Sequence, residues 1–217
     1  MTNKHSYTDE EKAAVYKAMA ERRDMRHFNG NPVEPAVFGR ILKAAHMAPS
    51  VGLMQPWRFI RIVNQNLRTE ISHIVDKERL ETAKALNDKK DDFLKLKVEG
   101  ILQCSELVIA ALPDKREKHI FGRRTLPQMD MASLSCAIQN MWLAARVEGI
   151  GMGWVSLFDP ETLASLLKMP KGSLPIAILC LGEVDAFYDR PMLVQEKWAE
   201  ERPLEELIST DFWDEGF

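Results

Sequence analysis

The pattern of apolar and polar positions predicts helices separated by a few short strands. The stretch "WRFIRIV" (57–63) alternates, whereas "ELVIAAL" (106–112) and "LPIAILCLGEV" (174–184) are apolar almost throughout. Alternation is typical of a half-buried strand, and a short apolar run is typical of a fully buried one. Because the strands are few and separated by helices, the pattern suggests either an α+β fold with a central sheet or a wound α/β fold.

Capping signals predict where the first helices begin and end. Thr8 is followed three residues later by Glu11, a capping-box pattern, so a helix is expected from there to about Arg22. A second helix is expected to begin near Pro35, since proline is favoured in the first turn, and to end before Pro49.

Two further helical regions differ sharply in polarity. The stretch "PQMDMASLSCAIQNMWLAARVEG" (127–149) is apolar on almost every face, which places it in a core or in a subunit interface. Residues 66–104 are highly charged and mostly helical, with "NDKKDDFLKLK" (87–97) in the middle. This charged region is the best candidate for an inserted or mobile piece.

Composition and charge exclude several classes of function. The 217 residues fit one large domain or a domain with appendages. A net charge of −3 gives no general attraction to nucleic acid or to an anionic membrane. No apolar run approaches the roughly 20 residues that span a bilayer, and the polar N-terminus lacks a signal core. We therefore expect a cytoplasmic, soluble protein.

The cysteines and histidines show no metal-ligand spacing. Cys104, Cys136 and Cys180 lie far apart in apolar runs, without a CxxC pair or a Cys/His motif. We expect three buried free thiols in a reducing cytoplasm and no metal site.

The segment "RRDMRHF" (22–28) is the first candidate for chemistry. Arginine suits phosphate because its planar fork donates two parallel hydrogen bonds. Arg22 and Arg26 would share a face if the preceding helix continued, whereas Arg23 would point elsewhere. The alternative is a solvated helix end, and Asp24 is unexpected in the middle of an anion site.

Two loops could contact a flat ligand. In "APSVGLMQPWRF" (48–59), the Ser50 hydroxyl and the loop amides could bind a ligand, and Gln55 could hydrogen-bond a heterocycle. In "EGIGMGWVSLF" (148–158), glycines such as Gly153 permit close backbone approach. The alternatives are a plain helix-to-strand connection and a helix cap followed by a bulged strand.

Taken together and in this order, these segments resemble the nitroreductase-like flavoprotein family. The basic residue that this family carries near its C-terminus has a counterpart in Arg202 of "ERPLEEL", which by itself would be a surface salt-bridge residue. The resemblance implies an α+β nitroreductase-like fold with a central mixed or antiparallel sheet flanked by helices. It also implies a single FMN-binding domain over residues 1–217, with a lid at about residues 85–100, and a homodimer with an extended C-terminal arm.

The resemblance also implies a set of FMN-binding residues. Arginines of the first segment would hold the phosphate and ring edge, and the Gly-rich segment would contribute backbone and a hydroxyl near the ring. The implied residues are Arg22, Arg23, Asp24, Met25, Arg26, Ser50, Gln55, Gly153, Ser156 and Arg202.

Two departures from the family pattern narrow the resemblance. Asp24 stands where a hydroxyl-bearing residue is usual, and the apolar "GLM" (52–54) replaces a loop asparagine. These changes, with "MDMASLSCAIQNMWLAAR" (129–146) and "RPMLVQEKW" (190–198), resemble the 5,6-dimethylbenzimidazole synthase subfamily. Such enzymes consume reduced FMN as a substrate, with O2, and release 5,6-dimethylbenzimidazole, the lower ligand of vitamin B12, and erythrose 4-phosphate.

The chemistry implied by this resemblance gives two residues a catalytic role. Asp24 is expected to act as acid and base near the junction of ribityl chain and ring, with Ser156 as its partner. A separate flavin reductase would supply the reduced FMN. Two other functions stay open: an FMN-dependent NAD(P)H nitroreductase or dehydrogenase that recycles its flavin, and a flavin-binding carrier without catalysis.

Overall fold

A computed structural model describes residues 4–213 of the chain. It contains short 3-10 turns, seven α-helices and four strands within that range. The helices are α1 (Asp9–Glu21), α2 (Pro35–His46), α3 (Gln65–Ala85), α4 (Lys90–Lys95), α5 (Met129–Val147), α6 (Pro160–Leu166) and α7 (Met192–Gln195). The strands are β1 (Arg58–Ile62), β2 (Glu106–Leu112), β3 (Gly151–Val155) and β4 (Leu174–Gly182).

The four strands form one sheet in the order β1-β2-β4-β3, and every neighbouring pair is antiparallel. The two middle strands meet with Ile109 opposite Ile178, and β3 meets β4 with Gly153 opposite Cys180. Each of the strands expected from apolar patterning is present, and β2 is buried at every position.

The sheet separates two hydrophobic cores, and the alternation of side chains along β2 shows why. Val108, Ala110 and Leu112 face the core that contains α2 and α5. Leu107 and Ile109 face the other core, formed with α3 and α6. Because successive strand residues point to opposite faces, a strand that is apolar throughout contributes to both cores.

The helix starts follow the local capping signals. The Thr8 hydroxyl accepts a hydrogen bond from the backbone of Glu11, and the Glu11 side chain accepts one from the backbone of Thr8, so the expected capping box is present. The helix α1 ends at Glu21, and Arg22 is already extended. The condition under which Arg22 and Arg26 would share a helical face is therefore not met.

An extended segment after α1 runs beside β3. Asp24 and Met152 form a parallel bridge, and the backbone N–H of Met25 donates to the carbonyl of Met152 over 3.0 Å. Gly153 is needed at this contact, since a Cβ there would lie only 2.2 Å from the Met25 carbonyl oxygen. The arginine segment is thus fixed against the edge of the sheet.

One expectation about the cysteines was wrong. Cys104 and Cys180 are buried free thiols, as expected, but Cys136 is exposed on α5. The apolar run around Cys136 is helical, and only part of a helix surface faces the core. Within residues 4–213, no helix is both long and apolar enough to cross a membrane.

Candidate active site

A cavity of about 970 Å³ lies where the arginine segment meets the end of β3. Its other walls come from α4 and from the C-terminal tail. The residues that line it include Arg22, Arg23, Asp24, Arg26, Phe93, Leu96, Trp154, Ser156, Leu157, Arg190 and Trp198. Five of the residues proposed from sequence for the flavin site therefore border one cavity: Arg22, Arg23, Asp24, Arg26 and Ser156.

Arg22 extends into this cavity over an aromatic ring. Its guanidinium carbon lies 4.5 Å from the centroid of the Trp142 indole, within the range of a cation–π contact. Within the described part of the chain, its guanidinium makes no hydrogen bond. Arg22 therefore presents a positive charge and unused N–H groups to the cavity.

Arg23 is held by backbone carbonyls. Its Nη1 donates to the carbonyl oxygens of Ala20 and Arg22 over 2.6 and 2.8 Å. Its Nη2 donates to the carbonyl oxygen of Asp189 over 3.0 Å. Arg23 thus fastens the beginning of the C-terminal tail to the end of α1.

Arg26 is paired with the aspartate of its own segment. Its Nη2 lies 2.6 Å from Oδ2 of Asp24 and 2.8 Å from the carbonyl oxygen of Trp154. Only 8% of Arg26 is exposed, and its Nε and Nη1 are buried without a hydrogen-bond partner within residues 4–213. Its Nη2 is therefore already used inside the protein, whereas its Nε and Nη1 are not.

Asp24 is held at both carboxylate oxygens and yet remains open to the cavity. Its Oδ1 accepts the backbone N–H of Trp154 over 2.9 Å, while Oδ2 accepts from Arg26. Burial raises the pKa of the Asp24 carboxyl above its usual value, and attraction to Arg26 and the Trp154 N–H bond only partly offset that effect. Solvent still reaches 41% of the side chain, so the desolvation comes from the crowded cavity walls and not from complete enclosure.

Ser156 and Trp154 mark the end of β3 at the cavity. Ser156 is exposed there, one residue beyond the strand, and Trp154 is half-buried. Because Asp24 bonds to the backbone of Trp154, the carboxyl and the Ser156 hydroxyl belong to one connected wall.

Met25 and Gly153 lie beneath the cavity and not on its surface. Met25 is 1% exposed, and the Gly153 backbone packs against its carbonyl group. Neither residue lines the cavity. Their role in this structure is to bring the arginine segment close to β3.

Three residues expected near the flavin lie away from the cavity: Ser50, Gln55 and Arg202. The Ser50 hydroxyl accepts the backbone N–H of Gln55 over 3.0 Å, within a loop where Gln55 has a φ of 46°. Arg202 is exposed, with its Nε 3.5 Å from a carboxylate oxygen of Glu206. None of these residues borders the cavity.

Sequence reasoning missed an aromatic contact in the cavity wall. Phe93 of α4 and Trp198 of the tail lie with ring centroids 6.0 Å apart, and the Lys89 ammonium lies 5.4 Å from the Trp198 ring. The only signal for this contact was a pair of aromatic residues inside strongly charged stretches. Among residues 4–213, no cluster of three or more His, Cys, Asp or Glu side chains could hold a metal ion.

Comparison with known proteins shows likeness over most of the chain. The family model described as "Nitroreductase family" matches residues 19–183. A 5,6-dimethylbenzimidazole synthase of Rhodospirillum rubrum is 37% identical over 187 residues, which cover 84% of this chain and 87% of that protein. A BluB-like flavoprotein from Clostridium difficile superposes with a TM-score of 0.68 at 22% identity, covering 90% of this chain and 97% of that one. Iodotyrosine deiodinase bound to FMN and 3-iodo-L-tyrosine superposes with a TM-score of 0.65 at 20% identity, covering 81% of this chain and 94% of that one.

Proposed function

Since this chain belongs to the nitroreductase family, we propose that it fragments reduced FMN with O2 into 5,6-dimethylbenzimidazole and erythrose 4-phosphate. The activity named for the Rhodospirillum rubrum relative supports this proposal. In this reaction FMN is a substrate, which a separate flavin reductase must supply in reduced form.

The observation that carries the proposal is the Asp24 carboxyl at the cavity wall. A family member that only recycles its flavin needs no carboxylate in the phosphate-binding segment, and a hydroxyl is usual there. Here a carboxyl lies open to the cavity with a raised pKa, caused mainly by burial. A raised pKa keeps a carboxyl able to exchange protons closer to neutral pH, which general acid–base catalysis requires.

The cavity fits FMN in size and in chemistry. Its volume of about 970 Å³ is at the upper end of the range of roughly 300–1,000 Å³ for small-molecule sites. Arg22 offers an unused guanidinium for the phosphate, and the apolar walls at Phe93, Trp154 and Leu157 suit a flat ring. Bound there, reduced FMN would supply the electrons for O2 and the carbon skeleton of both products.

Asp24 would hold and move the proton in this reaction. Each carboxylate oxygen can accept two hydrogen bonds, and each uses one within the protein, to Arg26 or to the Trp154 N–H. One acceptor position on each oxygen therefore remains for a proton from the ligand. Ser156, on the same wall, would orient the ligand or relay that proton.

The helix α4 and the tail would exclude water and competing electron acceptors. Phe93 of α4 and Leu96, the residue that follows this helix, face the cavity, and Trp198 faces it from the tail. We propose that this part of residues 85–100 is the lid expected from the sequence. An enclosed, apolar surrounding strengthens the electrostatic interactions inside the site and limits side reactions.

A second copy of the chain would complete the site. Ser50, Gln55 and Arg202 do not border the cavity of their own chain. In the homodimer that the family resemblance implies, the loop at residues 50–55 and the extended tail would approach the flavin from the partner. This arrangement would explain how Ser50, Gln55 and Arg202 can bind flavin although they do not border the cavity of their own chain.

The test is to mix the protein with chemically reduced FMN and air. We expect 5,6-dimethylbenzimidazole and erythrose 4-phosphate in the products, identified by chromatography and mass spectrometry. Matched reactions without O2, and with an Asp24→Asn variant, should give little product. Simple reoxidation to intact FMN would overturn the proposal.

The same assay separates the two alternative functions. Steady NAD(P)H oxidation with an added acceptor, and no loss of flavin, would indicate a nitroreductase or dehydrogenase. Tight flavin binding without any turnover would indicate a carrier.

A further inference from the structure

We propose that Trp142 is a positioning residue that holds Arg22 ready for the anionic group of the cavity's ligand. This inference deepens the proposed function and rests on it for the identity of the anion, the FMN phosphate. It distinguishes Arg22 from the two other arginines of the same five-residue stretch.

The hydrogen-bond partners of the three guanidiniums distinguish Arg22 from Arg23 and Arg26. Arg23 donates to three backbone carbonyls, one of them in the C-terminal tail. Arg26 is buried and donates through Nη2 alone, to Asp24 and to the Trp154 carbonyl, while its Nε and Nη1 have no partner within residues 4–213. A guanidinium has five N–H donors, and within the described residues only Arg22 among the three keeps all of them unused.

The indole of Trp142 is fixed before any ligand arrives. It lies on α5 and is 9% exposed. Its Nε1–H is shared between the carbonyl oxygens of Arg23 and Met152, at 3.1 and 3.0 Å. The ring is therefore fastened both to the arginine segment and to β3, and its face lies under Arg22.

This arrangement can prepare Arg22 for an anion. A guanidinium that lies over an aromatic face keeps its N–H groups directed outward in its own plane, where a phosphate can accept two of them. Because the Arg22 side chain is already held in place, it loses less conformational entropy when the ligand binds. Arg22 and Trp142 should therefore contribute to phosphate recognition as a pair.

Comparing FMN with riboflavin tests this pairing, because the two ligands differ by the phosphate alone. We would measure the dissociation constants of both oxidised flavins by fluorescence quenching, and take the ratio of riboflavin to FMN as phosphate selectivity. Arg22→Ala should lower that ratio about tenfold or more, as expected for the loss of a charge-assisted hydrogen bond. Trp142→Leu should lower it about two- to tenfold by removing the ring.

Further variants separate positioning from folding. Trp142→Phe keeps an aromatic face and should retain most of the selectivity, even where loss of the indole N–H lowers the melting temperature. In Arg22→Ala/Trp142→Leu the ratio should be no lower than in Arg22→Ala alone. Arg40→Met should leave the ratio near the wild-type value, because Arg40 pairs with Glu148 and does not border the cavity.

Two outcomes would overturn the inference. One is a Trp142→Leu variant that weakens FMN and riboflavin binding by the same factor, which a purely structural role predicts. The other is full additivity of the two substitutions. If wild-type protein binds neither flavin, the proposed function fails, and inorganic phosphate then tests the pair: it should shift the Trp142 indole NMR signal in the wild type but not in Arg22→Ala. An unshifted wild-type signal would overturn it.

Discussion

The Nη2 of Arg26 lies 2.6 Å from Oδ2 of Asp24, and the same nitrogen donates to the carbonyl oxygen of Trp154 over 2.8 Å. Asp24 also accepts the N–H of Trp154. These bonds connect the segment after α1 to the end of β3. The carboxyl that we propose for proton transfer is therefore also part of the connection between two elements.

Replacing Asp24 with asparagine should greatly slow benzimidazole formation but leave FMN binding almost unchanged. The variant Asp24→Asn keeps an oxygen for the Trp154 N–H but has no titrating carboxyl. We expect benzimidazole formation to fall by about 10²–10⁴-fold, the usual contribution of general acid–base catalysis. Single-turnover product formation measures the loss, and titration with oxidised FMN checks binding. A wild-type rate in Asp24→Asn would refute the catalytic role.

The raised pKa of Asp24 should make stability depend on pH in a definite direction. Because burial raises the folded-state pKa, the folded chain binds more protons than the unfolded chain between the two pKa values. The resulting stability is complete below the unfolded pKa, about 3.9, and is lost as pH rises through the folded pKa. Urea unfolding of the wild type and of Asp24→Asn over a pH series measures this effect. As pH rises, the free energy of unfolding of the wild type should fall relative to that of the variant. A constant difference would contradict this assignment.

Removing Arg26 should destabilise the protein less when Asp24 is also neutral. Asp24 is 41% exposed, so the effect of Arg26→Met should lie between about 1 kcal/mol for an exposed pair and ~3–5 kcal/mol for a broken buried pair. In Arg26→Met/Asp24→Asn the loss should be smaller than the sum of the two single losses. Urea denaturation of all four proteins measures this coupling, and strict additivity would show that the pair contributes nothing.

A methyl group at position 153 should push the arginine segment away from β3. In Gly153→Ala the new Cβ would lie 2.2 Å from the Met25 carbonyl oxygen and 2.8 Å from Nη1 of Arg26. We expect a loss of roughly 1–3 kcal/mol, as for other overpacked sites, together with weaker FMN binding. Gly39→Ala is the matched control: a Cβ there meets nothing within 4 Å, so alanine in this helix should stabilise by about 0.5–1 kcal/mol.

Loss of the Trp198 ring should loosen the lid that we propose at residues 85–100. Trp198→Ala removes the contacts to Phe93 and Lys89 that join the tail to α4 and the turn before it. We expect faster trypsin cleavage at the lysines of residues 89–97 and faster release of bound FMN in stopped-flow measurements. Trp198→Phe, which keeps an aromatic ring, should be close to wild type. Cleavage of Trp198→Ala at the wild-type rate would count against the lid.

The sequence predicted the local elements well because their signals are local. The capping box at Thr8, the first-turn proline at Pro35 and the apolar run of β2 each act within a few residues, and each predicted element is present. Three segments in the right order also sufficed to indicate the α+β nitroreductase-like fold, which the family model and the solved structures confirm.

The candidate site was harder to predict from the sequence than the helices and strands. Arg22, Asp24 and Ser156 border one cavity, but Met25 is buried beneath it, although it lies between two residues that line the cavity. In an extended segment neighbouring side chains point to opposite sides, so adjacency in sequence does not give adjacency in the site. Arg202 pairs with Glu206 in the exposed tail, and its part in flavin binding stays a prediction.

By itself, the sequence determined which elements form, which family the chain resembles and which segment carries the charges. Only the tertiary structure decided how the three arginines are used. The partner of Arg23 at Asp189 is 166 positions away, and that of Arg26 at Trp154 is 128 positions away. Such long-range contacts leave no local pattern, because a guanidinium takes its role from whichever acceptors the fold brings to it.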